Sequence, residues 1–178
     1  MEDTPQVSAS SVGVRYGLFL GLGLMAYSTI LQVAGQSRNQ ALGFLVFIFI
    51  VAGVVLAQKK FKEQGDGFMP FGKGFVIGFM VLLISGLLNS LFTYVYLTIL
   101  DPSSLELIKE QGVEESIKNM ESQGMSDAEI DQALEFSEVF LTAEFITGAA
   151  FLTSLLIGTV LVLIITAVTQ KKNPVLDL

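Results

Sequence analysis

The side chains with the most chemical capacity in this sequence are carboxylates, and the best-spaced set is Asp127, Glu129, Asp131 and Glu138. They occupy the first, third, fifth and twelfth places of a loop that would ligate calcium through oxygen. The sixth place holds Gln132, where such a loop needs glycine for its sharp turn. Ser126 and Glu129 at the same point form a capping box, in which the two side chains satisfy backbone groups at a helix start. A helix cannot wrap an ion, so these acids are read as a solvated helix face, and neither a metal nor a cofactor is expected. Glu138 and Glu144 are the remaining acid–base candidates, placed where an enzyme working at a membrane interface would need them.

Other routes to catalysis are closed by composition. The chain has no cysteine, histidine or tryptophan, which removes disulfides, thiolate nucleophiles, Cys/His zinc sites and an imidazole base near neutral pH. There is no Gly-x-Ser-x-Gly elbow, no P-loop and no pair of intramembrane aspartates. Gly21 and Gly23 sit inside an apolar run that follows no strand, so they are no dinucleotide fingerprint. No catalytic residue is assigned.

The elements that carry these residues are set by hydropathy. Of 178 residues, 52% are hydrophobic and 15% charged, with a mean hydropathy of +0.65. A soluble domain carries about 25% charge. The net charge of −7 is local: residues 101–144 hold twelve acids and two lysines, so the rest of the chain is at +3. Apolar runs cover about 16–34, 41–57, 75–100 and 145–168, and a helix needs roughly 17–25 such residues to cross the hydrocarbon. Barrel strands would alternate polar and apolar residues, and these runs do not. The fold expected is an all-α membrane protein, a four-transmembrane-helix bundle in a single membrane domain. The leader, Met1 to Pro5, is acidic, unlike the basic start of a signal peptide, so the first span is expected to stay.

Lys59, Lys60, Lys62 and Lys73 lie between spans two and three, Lys171 and Lys172 follow span four, and Arg15 opens span one. Arg38, Lys109 and Lys118 are scattered over the opposite connections. Basic residues favour the cytoplasm, so both termini are expected there, and residues 101–144 in the periplasm. A polybasic site for anionic lipid is the sharper reading of the same lysines.

Helix association in lipid depends on close contact through small residues. Gly13, Gly17 and Gly21 give span one such a face. Gly74, Gly78, Gly86 and Ser90 do so on span three, Ala150, Ser154 and Gly158 on span four, and Gly53 with Ala57 more weakly on span two. Intramembrane polar groups are few. Ser85, Asn89, Ser90 and Thr93 share one stretch, and Ser28, Thr29 and Gln32 another. Gln32 and Asn89 are the costliest to leave unpaired, and interhelical hydrogen bonding is the expected use of all of them. No Asp, Glu, Lys or Arg lies near a span centre, which argues against ion-coupled transport.

Residues 101–144 read as an external acidic helical hairpin between the third and fourth spans. Asp101 and Pro102 start a first helix with an apolar stripe of Leu105, Ile108, Val113, Ile117 and Met120. Gly124 ends it, and a second helix carrying Ile130, Ala133, Leu134 and Leu141 is expected to lead into span four.

Residues 67–75, Gly-Phe-Met-Pro-Phe-Gly-Lys-Gly-Phe, open span three, and Tyr94, Tyr96, Asp101 and Pro102 close it. With four spans and an acidic insert before the last, the sequence resembles the membrane family called domain of unknown function 4199, typical of Bacteroidota, over about residues 12–170. The resemblance implies a four-span fold in the inner membrane and carries over no catalytic residues. Phe68, Phe71 and Phe75 are expected as anchors at one interface, with Tyr94 and Tyr96 as the belt at the other. Of the functions compatible with this pattern, a non-enzymatic accessory or scaffolding component leads. Its partners are the bilayer, a second copy or another membrane protein, and not nucleic acid. The alternatives are a small oligomeric transporter or channel for a neutral solute or lipid, and then an enzyme.

Overall fold

The computed structural model describes residues 8–36 and 39–172, with Glu138 described by its backbone alone. The acidic leader, Arg38 and the Glu138 side chain, all used above, lie outside the described residues. Six α-helices follow in order: α1 Ala9–Val33, α2 Gln40–Gln64, α3 Phe71–Val95, α4 Pro102–Ser122, α5 Asp127–Ser137 and α6 Ala143–Thr169. A π-helical turn, Tyr96–Leu100, extends α3, and a 3-10 turn, Glu138–Phe140, precedes α6. The only strand-like pairing among the described residues is one antiparallel bridge between Met69 and Lys171.

Four of these helices, with lengths of 25, 25, 30 (α3 with its extension) and 27 residues, are long and apolar enough to span a membrane. At about 1.5 Å per residue, 25 residues reach about 37 Å, more than the ~30 Å hydrocarbon core. Their surfaces are built for lipid. On α6, Leu152, Leu156, Val160, Ile164 and Val168 are all exposed at four-residue spacing, while Gly158, Val162, Ile165 and Thr166 are buried. The chain is an all-α membrane bundle.

The helices outrun the apolar stretches that mark them. α1 begins at Ala9 and α2 continues to Gln64, past the Gln58, Lys59 and Lys60 at which the apolar run stops. Gln58 is fully buried, so the polar residue that closes the run lies inside the protein. The 35–40 connection is short, and Asn39 caps α2 by accepting hydrogen bonds from the Ala41 and Leu42 amides at 3.1 and 3.4 Å.

Two compact units emerge. One comprises Met1–Asn89 with Leu152–Leu178, the other Ser90–Phe151. In the first, α3 is the central helix, touching α1 through Gly13, Gly17 and Gly21, α2 through Gly78 and Val54, and α6 through Gly74 and Gly158. Its core includes Val54, Ala57, Ile77, Val81 and Val162, none with any exposure.

In the second unit Asp101 caps α4, with Pro102 in the first turn, where a missing N–H costs nothing. Gly124 ends the connection at a φ of +78°, a left-handed conformation that glycine adopts without a Cβ clash. The Ser126 N–H donates to Glu129 Oε2 at 2.8 Å, and the Ser126 hydroxyl donates to the same oxygen at 2.8 Å. The second hairpin helix does not run on into span four. α5 stops at Ser137, and α6 starts afresh with Thr142 Oγ1 accepting from the Phe145 amide at 3.3 Å.

Candidate functional site: the helix seams and the hairpin

The first unit is built on small residues pressed against opposing helices, against backbone on α1 and against side chains on α3 and α6. A Cβ placed on Gly13 would lie 2.5 Å from Met80 Cβ and 2.8 Å from the Ile77 carbonyl oxygen. On Gly17 it would lie 2.8 Å from Ile84 Cβ and 3.0 Å from the Val81 oxygen, and on Gly21 3.1 Å from Ser85 Cα. The same test puts Gly74 at 2.7 Å from Thr166 Cγ2, Gly78 at 2.6 Å from Val162 Cγ1, and Gly158 at 2.8 Å from Leu82 Cδ1. Each of these contacts is shorter than any normal carbon–carbon approach of about 3.5–4.0 Å. At Gly13, Gly17 and Gly21 an added Cβ would meet backbone of α3, whereas at Gly74, Gly78 and Gly158 it would meet the side chains of Thr166, Val162 and Leu82.

The remaining small residues are placed differently. Gly86 and Ser90 are half-buried, whereas Ala150 and Ser154 are exposed. Of the α6 row only Gly158 lies on the buried face. The face of α6 continues instead through Val162, Ile165 and Thr166.

Gln58 on α2 is the polar centre of the first unit, a role the sequence did not suggest. Its Nε2 donates to the Gly74 carbonyl at 3.0 Å and to Thr166 Oγ1 at 2.8 Å, and its Oε1 accepts from Thr169 Oγ1 at 2.5 Å. One amide thus joins α2, α3 and α6. Lys62 Nζ donates to the Thr169 carbonyl at 3.0 Å. The bridge between Met69 and Lys171 adds two backbone bonds of 2.8 and 2.9 Å, and Met69 is fully buried. Lys171 stands 5.4 Å from the Phe68 ring centre and Lys73 5.8 Å from that of Phe61. Of the proposed anchors here, Phe71 is exposed, Phe68 is half-buried, and half-buried Phe75 packs on the core and stacks on Phe79.

The polar groups proposed within the spans do not converge on a site. Ser85 is buried and donates to the Val81 carbonyl of its own helix at 2.7 Å. Ser28 and Thr29 both donate to the Met25 carbonyl of α1. Asn89 is half-buried. Gln32 is also half-buried, and its Oε1 is shielded with no hydrogen-bond partner among the described residues.

In the second unit Tyr94 donates to exposed Glu144 Oε1 at 3.1 Å, and Tyr96 to Asp101 Oδ2 at 3.1 Å. Asp101 also accepts from the Ser103 hydroxyl at 2.5 Å and the Ser104 hydroxyl at 2.7 Å. These donors hold its carboxyl near a pKa of about 2, below the ordinary 3.8, chiefly through Ser103 and Ser104. On α4, Lys118 sits 2.7 Å from Glu114, an i,i+4 pair that lowers the carboxyl and raises the amine. The Glu129 carboxyl is lowered by the Ser126 amide and hydroxyl. Asp127, Glu129 and Asp131 belong to helix α5, so the backbone that would wrap a calcium ion is helical.

The hairpin also carries apolar surface that residue types alone left unassigned. Phe136, Phe140 and Phe145 form a ladder with ring centres 5.5 and 4.8 Å apart, and Phe136 and Val139 are about 70% exposed. The ladder continues into span α6 through Phe145. Ile130 is buried, and Leu105, Val113, Ile117 and Met120 are half-buried, while Ile108 is exposed.

No curated protein and no solved structure matches the chain. The family model for a protein of unknown function (DUF4199) matches residues 15–171, which spans the four helices, the Gln58 centre and the hairpin, and the chain belongs to that family.

Proposed function

We propose that the chain is a non-enzymatic accessory or scaffolding component of a membrane complex. It lies in the inner membrane with both termini in the cytoplasm and residues 101–144 in the periplasm. The observation that carries this reading is the filled interior of the first unit. Val54, Ile77, Val81 and Val162 have no exposure, and Gly13, Gly17 and Gly21 bring the backbone of α1 against that of α3. A neutral solute would find no passage through such a centre, and among the described residues no Asp, Glu, Lys or Arg of the kind that marks a charged pathway is buried there. The orientation is supported by charge. Lys62, Lys73 and Lys171 gather at one end of the first unit, around Thr169, Phe61 and Phe68, as expected of cytoplasmic flanks.

Reversible crosslinking in native membranes, followed by mild-detergent purification on a tag, tests the role. One membrane protein should return at fixed stoichiometry and should in turn recover this chain when itself tagged. Recovery of the chain alone, together with solute flux in proteoliposomes, would overturn the reading in favour of transport. The absence of cysteine makes the orientation easy to test. Ser116→Cys should react with an impermeant thiol reagent from the periplasmic side and Gln64→Cys should not.

A further inference from the structure

Two grooves open along the α1–α2 pair and share Tyr16 and Phe19. The first, about 420 Å³, lies at the lysine-bearing end and is lined on its polar side by Ser11, Arg15, Lys60 and Gln64. The second, about 460 Å³, continues along the spans between Leu24 and Phe49, with Gly23 and Gly53 in its lining. A Cβ on Gly23 would meet nothing within 4 Å, in contrast to the glycines that seal α1 against α3. Arg15 is exposed, and no carboxylate pairs with it among the described residues. Lys60 has only a loose neighbour, Glu63 Oε2 at 3.8 Å, and 43% of its side chain is exposed.

We propose that this composite groove binds one anionic phospholipid. The headgroup phosphate sits between the Arg15 guanidinium and the Lys60 ammonium, and one acyl chain lies in the trough over Gly23. Three features select this occupant. Two cations from different helices face one polar groove, and basic pockets between membrane helices suit anionic headgroups. Arginine adds a planar fork that matches phosphate oxygens in pairs. The apolar trough opens directly from that basic end and lies within the spans, where the solvent is lipid. From Tyr16 to Tyr27 it runs about 16 Å at 1.5 Å per residue, which is about half of the ~30 Å hydrocarbon core. A chain from a single leaflet has that reach. A soluble anion would use the first groove and leave the second without purpose.

The test is native mass spectrometry of the full chain in non-ionic detergent, offered phosphatidylglycerol or phosphatidylcholine with the same acyl chains at equal concentration. One phosphatidylglycerol should be retained per chain in preference to phosphatidylcholine. Arg15→Gln and Lys60→Gln should each weaken that retention about fivefold. Gly23→Leu, which fills the trough and changes no charge, should displace the lipid as well. Lys59→Gln, at the same end but outside the groove, should leave retention unchanged, and millimolar glycerol phosphate should not compete. Equal retention of the two lipids would overturn the proposal. So would an equal effect of Lys59→Gln, which means diffuse surface attraction, or competition by glycerol phosphate, which means a soluble-anion site. Because each variant is compared by circular dichroism as well as by retention, a misfolded Gly23→Leu is recognised, and the Arg15 and Lys60 variants then decide. The readout does not depend on the existence of a protein partner.

Discussion

Replacing Gly13 by alanine adds one methyl group at the tightest point of the α1–α3 seam. The new carbon would lie 2.5 Å from Met80 Cβ and 2.8 Å from the Ile77 carbonyl. Comfortable contact is about 3.5–4.0 Å, so the helices must separate by roughly 1 Å, and the backbone oxygen cannot swing aside as a side-chain tip can. Overpacking of this kind costs about 1–3 kcal/mol. Alanine also gains about 1 kcal/mol of helix propensity over glycine, which would mask part of the loss. Gly23→Ala is the internal control, because it makes the same propensity change on the same helix and meets nothing within 4 Å. The difference between the two variants therefore isolates the seam, at about 1–3 kcal/mol. Gly53→Ala should fall between them, since its nearest neighbour is the flexible end of Leu20 at 3.1 Å. Equilibrium unfolding in mixed micelles, read by tyrosine fluorescence, is suited to the comparison. The chain has no tryptophan, and Tyr16 and Tyr27 both report from α1. Coincident unfolding curves for Gly13→Ala and Gly23→Ala would refute the seam.

Two further perturbations probe the polar groups. Gln58→Leu removes three interhelical hydrogen bonds while keeping the volume. At about 0.6–1.7 kcal/mol each, it should cost at least about 2 kcal/mol and lower the midpoint of thermal unfolding in detergent, and an unchanged midpoint would contradict the assigned role. Asp101 has a depressed carboxyl, so its contribution to α4 should be complete above its ordinary pKa of 3.8 and disappear as pH falls through about 2. Protection of the Ser104 amide, taken relative to its intrinsic exchange at each pH, should fall on acidification through that interval in the native protein and be lower and independent of pH in Asp101→Ala. Protection that does not change with pH in the native protein would count against the cap.

The spans were legible because bilayer solvation imposes long charge-free runs, and little else produces them. On α1 the small residues were the whole signal, since Gly13, Gly17 and Gly21 each meet α3 directly. On α6 only Gly158 of the row does, because Val162, Ile165 and Thr166 carry the rest of the buried face, and residue size alone does not say which side of an apolar helix is covered. Gln58 was invisible as a core residue. Next to Lys59 and Lys60 it looks like the end of a span, and its partners Thr166 and Thr169 are 108 and 111 positions away. Nothing local reveals that an amide and two hydroxyls meet. The hairpin was readable where backbone chemistry dictates it, at Asp101, Pro102, Gly124 and Ser126. The Phe136, Phe140 and Phe145 ladder was not, because it depends on the break between α5 and α6.

The interior of the first unit is closed, and single cysteines introduced into this cysteine-free chain test that most directly. Val81→Cys and Val162→Cys, at positions with no exposure, should resist a small water-soluble thiol reagent in reconstituted membranes and react fully only after denaturation. Labelling of either at a rate close to that of Ser116→Cys on the hairpin would show a water-filled path through the bundle and contradict the scaffold.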